Sequence, residues 1–312
     1  MSEKWTGLYP AIMVPLNADY SINEKELRNY IEWLITHKHI KGVVTNGHTG
    51  EISGFNREER KRVTQIVADQ VKGRVRVISG VCAEGTFEAI EHAKDAEEVG
   101  ADGILFMPVH LWLRFGKKPA TPINYIKDVA AAINIGIVIH LYPANTKAFY
   151  PVETLLEMCK IPNVKAIKMG TRDQALFERD VRILKEKAPH VALWTCHDEY
   201  LLTSLLPGME GALIGFCGCV PELISNLYQK YLEFDLKEML KANDPVSRMS
   251  AAIYGVGEPT GEAHARMKEV MYQRGIFSSA LMRPPILPLS QEEKDSVTAA
   301  IKLGNVAKVN LV

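Results

Sequence analysis

The 312-residue chain lacks an excess of either charge: Lys plus Arg and Asp plus Glu are both 37. A net charge of zero offers no field to draw nucleic acid or an anionic membrane toward it. No apolar run approaches the roughly 20 residues of a membrane span. The opening, MSEKWTGLYP, lacks the charged-then-apolar layout of a secretory signal. A cytoplasmic location, with no membrane or nucleic-acid partner, is therefore expected. Five cysteines, at 82, 159, 196, 217 and 219, are an odd count without a Cys-x-x-Cys pair. That suits neither a disulfide framework nor a zinc knuckle, so reduced and mostly buried thiols are expected. Cys217 and Cys219 read as two positions on one strand. No low-complexity tract and no repeat longer than a strand–helix unit occurs.

What remains is ordinary globular composition, 47% hydrophobic and 24% charged, with ample length for a large core. Strand-like and helix-like segments alternate. Strands are predicted at 8–16, 42–47, 75–81, 103–109, 136–141, 165–170, 192–196 and 212–216. Helical periods lie near 24–38, 57–71, 86–98, 122–132, 152–160, 173–187, 199–206 and 221–231. Asn56 followed three residues on by Glu59 marks the second helix start as a capping box. Eight such units predict an α/β fold, the (β/α)8 TIM barrel. A doubly wound open sheet is the alternative, but Pro15-Leu16-Asn17-Ala18-Asp19 is no dinucleotide fingerprint. Beyond residue 231 only helical periods remain, near 235–253, 261–274 and 291–303, with Pro284, Pro285 and Pro288 breaking the chain before the last. We read residues 1–231 as the barrel and 232–312 as a C-terminal helical extension packed on it.

Lys168 stands in the short apolar run Val164-Lys165-Ala166-Ile167-Lys168-Met169-Gly170, which reads as a buried strand. Strand side chains alternate, so Ala166 and Lys168 share one face and Ile167 takes the other. Desolvation of such a lysine lowers its pKa and leaves a neutral amine able to attack a carbonyl. The plainer reading is an ammonium that escapes to solvent or pairs with a carboxylate such as Asp173. Barrel active sites lie at strand C-terminal ends, and four of nine histidines fall there: His48, His110, His140 and His197. A metal-dependent hydrolase built on them is disfavoured, because no His-x-His pair or carboxylate cluster accompanies them. A non-catalytic barrel that binds a small acid is a further class.

Several segments resemble the dihydrodipicolinate synthase / N-acetylneuraminate lyase family. Pro10-Ala11-Ile12-Met13-Val14-Pro15 is similar to its first strand, and Gly47-His48-Thr49-Gly50-Glu51 resembles its Gly-Thr-Thr-Gly-Glu loop. Ala166-Ile167-Lys168 resembles its Schiff-base segment, and Arg283-Pro284-Pro285-Ile286-Leu287-Pro288-Leu289 its last connection. The resemblance implies a (β/α)8 lyase or aldolase that holds pyruvate or another 2-oxo acid as an imine on Lys168, without a cofactor or metal. An aldehyde second substrate and a homodimer or homotetramer are also implied. His48, Thr49, Gly50 and His110 would then bind the substrate, the Gly47–Glu51 loop holding its carboxylate. A 2-oxo acid dehydratase or hydratase, or the synthase proper, remain alternatives.

The departures from the family pattern also shape expectation. Its strand-five tyrosine falls, by ungapped register, on His140, while Tyr142 lies two residues later on the same nominal face. Either is a candidate proton relay, Tyr142 by its phenol and His140 by its register. His48 and His110 replace hydroxyl residues, so groups titrating near neutrality are expected in the pocket. Asn145 replaces a carboxylate-binding arginine of the synthase, with Lys147 as a possible stand-in. Trp112, Leu113 and Phe115 suggest an apolar second substrate or a subunit contact. Glu51 reads equally as a catalytic or a structural carboxylate.

Overall fold

Eight short parallel strands form one sheet in the computed structural model, which describes residues 4–255 and 261–312. Met1–Glu3 of the opening stretch lie outside the described residues. The strands are β1 (Gly7–Leu8), β2 (Gly42–Thr45), β3 (Arg76–Val81), β4 (Gly103–Phe106), β5 (Gly136–Leu141), β6 (Val164–Met169), β7 (Ala192–Thr195) and β8 (Gly211–Ala212). Their order runs β1-β8-β7-β6-β5-β4-β3-β2. Single bridges from Leu8 to Ile40 and from Ala11 to Val44 join β1 back to β2. The sheet is thus the expected (β/α)8 barrel.

The helices around it are α1 (Glu24–Leu34), α2 (Arg57–Val71), α3 (Thr86–Glu98), α4 (Leu111–Phe115), α5 (Ala120–Ala131), α6 (Val152–Met158) and α7 (Gln174–Lys187). Then follow α8 (Leu201–Leu205), α9 (Phe216–Cys219), α10 (Pro221–Glu233), α11 (Leu236–Tyr254), α12 (Gly261–Gln273) and α13 (Gln291–Leu303). Local chemistry sets the ends. Asn56 caps α2 and Ser290 caps α13, each in a complete capping box with Glu59 or Glu293.

Strand alternation divides the core in two. Inward residues fill the barrel: Tyr9, Ala11, Val44, Ile78, Leu105, Val138, Ala166, Ala192 and Trp194. Outward residues such as Val43, Ile104, Ile139 and Ile167 pack beneath the helices. The Trp194 ring stacks on Tyr9 at 4.0 Å and faces Trp5 at 6.4 Å, and its Nε1 donates to the Trp5 carbonyl at 2.8 Å. The cavity that carries chemistry in such barrels lies at the strands' C-terminal ends.

Two expectations fail locally. Ala212–Phe216 is not a strand throughout: β8 ends at Ala212, and Phe216–Cys219 turns into α9. The Asp198 carboxylate accepts the Phe216 N–H at 2.9 Å, which favours that turn. Cys217 and Cys219 are therefore buried helix residues and not strand residues. The first strand shrinks from 8–16 to Gly7–Leu8, because beyond Ala11 the chain turns toward a local bridge between Leu16 and Ile22.

Candidate active site

The site grows from the pairing of β5 with β6, in which His140 stands opposite Lys168. Ala166 lies in the barrel interior and Ile167 in the outer core, so Lys168, two residues after Ala166, points inward. Its side chain opens into a cavity of about 340 Å³ at the strand ends. His48, Thr49, His140, Tyr142, Lys168, Arg172, Cys196, Asp198, Glu199, Tyr254 and His264 line that cavity. Asp173, the alternative partner for the lysine, instead caps α7 by accepting the Leu176 N–H.

One wall is the loop after β2. Asn46 and Glu51 bracket it in left-handed backbone, at φ 52° and 57°. The Asn46 amide anchors its start, donating to Arg60 O, Thr64 Oγ1 and Ser79 Oγ at 2.9–3.0 Å. The loop closes through Glu51 N to His48 O and Ile52 N to Gly47 O. The Thr49 and Gly50 N–H groups take no acceptor among the described residues. Gly50 fits closely here: a Cβ would press on the Ile12 carbonyl at 3.0 Å. Two open amides and the Thr49 hydroxyl make a donor set for an anion.

Opposite the loop, the Tyr142 hydroxyl lies between two imidazoles, 2.9 Å from His110 Nε2 and 3.0 Å from His48 Nε2. A phenol has one proton, so it donates to one ring and accepts from the other. One Nε2 therefore accepts the phenol proton and the other carries a hydrogen. The Cys82 thiol sits 3.5 Å behind His110 Nε2. Glu84 holds the backbone there, accepting the His110 and Leu111 N–H groups. His140 packs edge-on against Tyr142 at 4.9 Å, and its buried Nδ1 has no hydrogen-bond partner among the described residues.

The far wall is acidic. Asp198 and Glu199 follow β7. Arg172 donates to Glu199 at 2.9 Å, and the Tyr254 hydroxyl, which donates to Met267 Sδ at 3.3 Å, also acts on Asp198. Tyr254 and His264 come from α11 and α12, so the C-terminal helices complete the cavity.

Burial governs the charge states. It lowers the Lys168 ammonium, against the opposing pull of Cys196 and Asp198. It holds His48 and His197 down to about 3 and His264 to about 4, with the Lys168 charge adding to each. His140 is lowered well below the usual imidazole range for the same reasons. Burial raises the Tyr142 phenol, and raises Asp198 to about 7 with help from Glu199. The cavity thus offers a lysine biased toward the neutral amine and a carboxyl that titrates near neutrality.

The structure therefore gathers Lys168, His140, Tyr142, His48 and Thr49 around one space, with Gly50 behind them. His110 does not line it and reaches it through Tyr142. His48 is neutral at ordinary pH, which corrects the expectation that it titrates near 6.5. His197 turns away and donates Nε2 to the Thr171 carbonyl at 2.9 Å. Lys147 donates to the Arg114 carbonyl and Asn145 is exposed, so neither lines the cavity. Trp112 is buried beside Tyr125 and Tyr150, and Leu113 and Phe115 face outward. Glu51 pairs with Lys268. Arg172, Asp198, Glu199, Tyr254 and His264 escaped the sequence reading as site residues. The first three had a signal, since each closely follows a strand end.

The chain and its barrel match a known group. Residues 4–303 match the model of the dihydrodipicolinate synthetase family. The chain belongs to that family. Its relatives include 4-hydroxy-tetrahydrodipicolinate synthase of Bartonella quintana, 29% identical over 97% of this chain and 99% of the relative. A probable 2-dehydro-3-deoxy-D-pentonate aldolase of Escherichia coli K12 is 26% identical over 95% and 96% of the two chains. Among solved structures, a prophage protein of Escherichia coli K12, described in complex with pyruvate, superposes with a TM-score of 0.88 at 23% identity. It covers 96% of this chain and 99% of its own. No described helix is long and apolar enough to cross a membrane.

Proposed function

We propose that this protein is an imine-forming lyase that makes or breaks a C–C bond next to a 2-oxo acid. The observation that carries the reading is Lys168, inward on β6 with its ammonium disfavoured by burial, opening into the cavity that the Tyr142–His48–His110 cluster borders. The neutral amine adds to the C2 carbonyl, and loss of water gives an iminium. The Thr49 and Gly50 amides and the Thr49 hydroxyl hold the C1 carboxylate. In the cleavage direction a 4-hydroxy group loses its proton and becomes the aldehyde as the C3–C4 bond breaks. The bonding pair passes to C3 and is delocalised over the enamine. Protonation at C3 and hydrolysis then release the shortened 2-oxo acid and free Lys168. Tyr142 is the proton carrier, because a phenol hydrogen-bonded to two imidazoles can give and take a proton without bringing in a fixed charge of its own. His140 is the second candidate by its position opposite Lys168.

The acidic wall bears on the second substrate. Asp198, Glu199 and Arg172 suit hydroxyl groups better than the apolar partner expected from Trp112, Leu113 and Phe115. A hydroxylated 2-oxo acid, cleaved to pyruvate and a hydroxyaldehyde, fits best, and the pentonate aldolase relative supports that choice. The synthase reaction is the second reading, supported by the Bartonella relative but not by Asn145. The reading involves no cofactor, places the enzyme in the cytoplasm, and includes a homodimer or homotetramer, for which the exposed Leu111, Leu113 and Phe115 of α4 are a suitable contact.

The test is borohydride reduction in the presence of pyruvate, followed by peptide mapping. One reduced adduct is expected at Lys168, absent from Lys168→Ala. An adduct at Lys147 or Lys165 would sink the assignment. Turnover of hydroxylated 2-oxo acids against an aspartate-derived aldehyde then separates the two readings.

A further inference from the structure

The loop that offers Thr49 and Gly50 ends in Glu51, and Glu51 does not face the cavity. Its Oε1 accepts the Lys268 ammonium at 2.5 Å and its Oε2 accepts the Arg283 N–H at 3.1 Å. The side chains are buried, with exposures of 0% for Lys268 and 7% for Glu51. Lys268 belongs to α12, one turn after His264, which lines the cavity. The Arg283 guanidinium reinforces the same junction, donating to the Tyr20 and Gly54 carbonyls and to both Glu59 oxygens. A buried ion pair is weak evidence for stability, because desolvation offsets its attraction. Its value lies in geometry: Glu51 holds left-handed backbone at φ 57°, which its side-chain bonds help to fix, and that backbone aims the amides just before it.

We propose that Lys268 is a positioning residue, which through Glu51 sets the aim of the Thr49 and Gly50 amides and so makes the C-terminal extension part of the carboxylate site. The inference rests on the reading above that these amides hold the substrate carboxylate. It assigns α12 two tasks on one face: His264 in the cavity wall and Lys268 on the loop.

The experiment uses the full chain and pyruvate with borohydride, and compares wild type, Lys268→Met, Glu51→Gln and the double variant. Lys268→Met strands a buried carboxylate. It should raise the half-saturating pyruvate concentration at least about tenfold, while the limiting trapping rate changes less than about threefold. Glu51→Gln keeps the shape and an acceptor, and should give a smaller rise. The double variant removes the stranded charge and should recover part of the Lys268→Met loss. Hydrogen exchange of the 46–55 segment is read in parallel without pyruvate, and should be faster in Lys268→Met. If Lys268→Met does not fold, Glu51→Gln carries both readouts. Unchanged affinity and unchanged exchange in a folded variant would overturn the proposal while leaving the imine reading intact. Faster exchange with no wild-type adduct would instead retain the positioning role and reject the imine reading.

Discussion

Tyr142→Phe is the most informative single change at this site. It removes one oxygen and leaves the ring packed edge-on at 4.9 Å from His140. That oxygen bonds His110 Nε2 at 2.9 Å and His48 Nε2 at 3.0 Å, so both contacts are lost together. A neutral hydrogen bond contributes about 1 kcal/mol net, and a buried polar atom left unpaired costs about 1–3 kcal/mol. His48 is buried and neutral, so the variant should lose about 2–3 kcal/mol of stability while remaining folded. Turnover should suffer more than stability. Removing a positioned acid–base group costs at least about a hundredfold, or about 2.7 kcal/mol of barrier. Imine formation uses Lys168 and should persist. The assay is therefore twofold: borohydride trapping with pyruvate, which should survive, and single-turnover cleavage of a 4-hydroxy-2-oxo acid, which should collapse. Turnover within about threefold of wild type would refute the assignment, since general acid–base groups contribute far more. So would His140→Gln showing this pattern in place of Tyr142→Phe.

Other outcomes follow from the charge states. Affinity for pyruvate should fall as pH rises from 5.5 to 8.5, because Asp198, raised to about 7, becomes an anion in the same cavity that must take up the pyruvate anion. Asp198→Asn should flatten that profile and His48→Thr should not; the reverse result, read by equilibrium binding, would make His48 the titrating group. Stability should drop on acidification. His48, His197 and His264 are depressed to about 3 or 4 in the folded state, so the unfolded chain takes up protons first below its usual value near 6.5. At pH 5 each should cost about 2 kcal/mol. Asp198 works in the opposite sense between its unfolded value near 4 and about 7, which makes urea unfolding of Asp198→Asn the control. Finally, Gly170→Ala should destabilise by several kcal/mol or prevent folding, because its Cβ would run into the Leu141 carbonyl at the end of β5.

How much of this was legible in the chain differs by element. The bounds of α2 and α3 and the start of α13 followed from periodicity and, for α2, from the Asn56–Glu59 box, because those signals are local. The facing of Lys168 followed from alternation within six residues of β6. The acidic wall was half legible: Asp198 stands just past the end of β7, beside His197. Its role depends on Tyr254 and Lys168, which no sequence spacing connects to it. His264 was hidden for a different reason. The helical period of α12 shows that it has a buried face, but nothing in the period says that this face meets a barrel mouth. His48 was misjudged electrostatically because its depth, and its neighbour Lys168, exist only in three dimensions. The extent of β8 was overread since Leu213 and Ile214 are apolar enough for a strand, while the Asp198 carboxylate draws Phe216 into a helix.

The seam of the barrel has a consequence for its manufacture. β1 meets β8 through Gly7–Gly211 and Leu8–Ala212, partners separated by more than 200 positions, and meets β2 only by two single bridges. On a ribosome, the ring cannot close until residue 212 has emerged, whereas β2 through β7 can pair in turn as each appears. At the roughly 5–20 residues per second of synthesis, about 8–33 seconds pass with two open sheet edges. Those edges carry unpaired backbone groups able to recruit another chain. The nascent protein is therefore most exposed to chaperones, and to misassembly, in the interval between the emergence of Thr45 and that of Ala212.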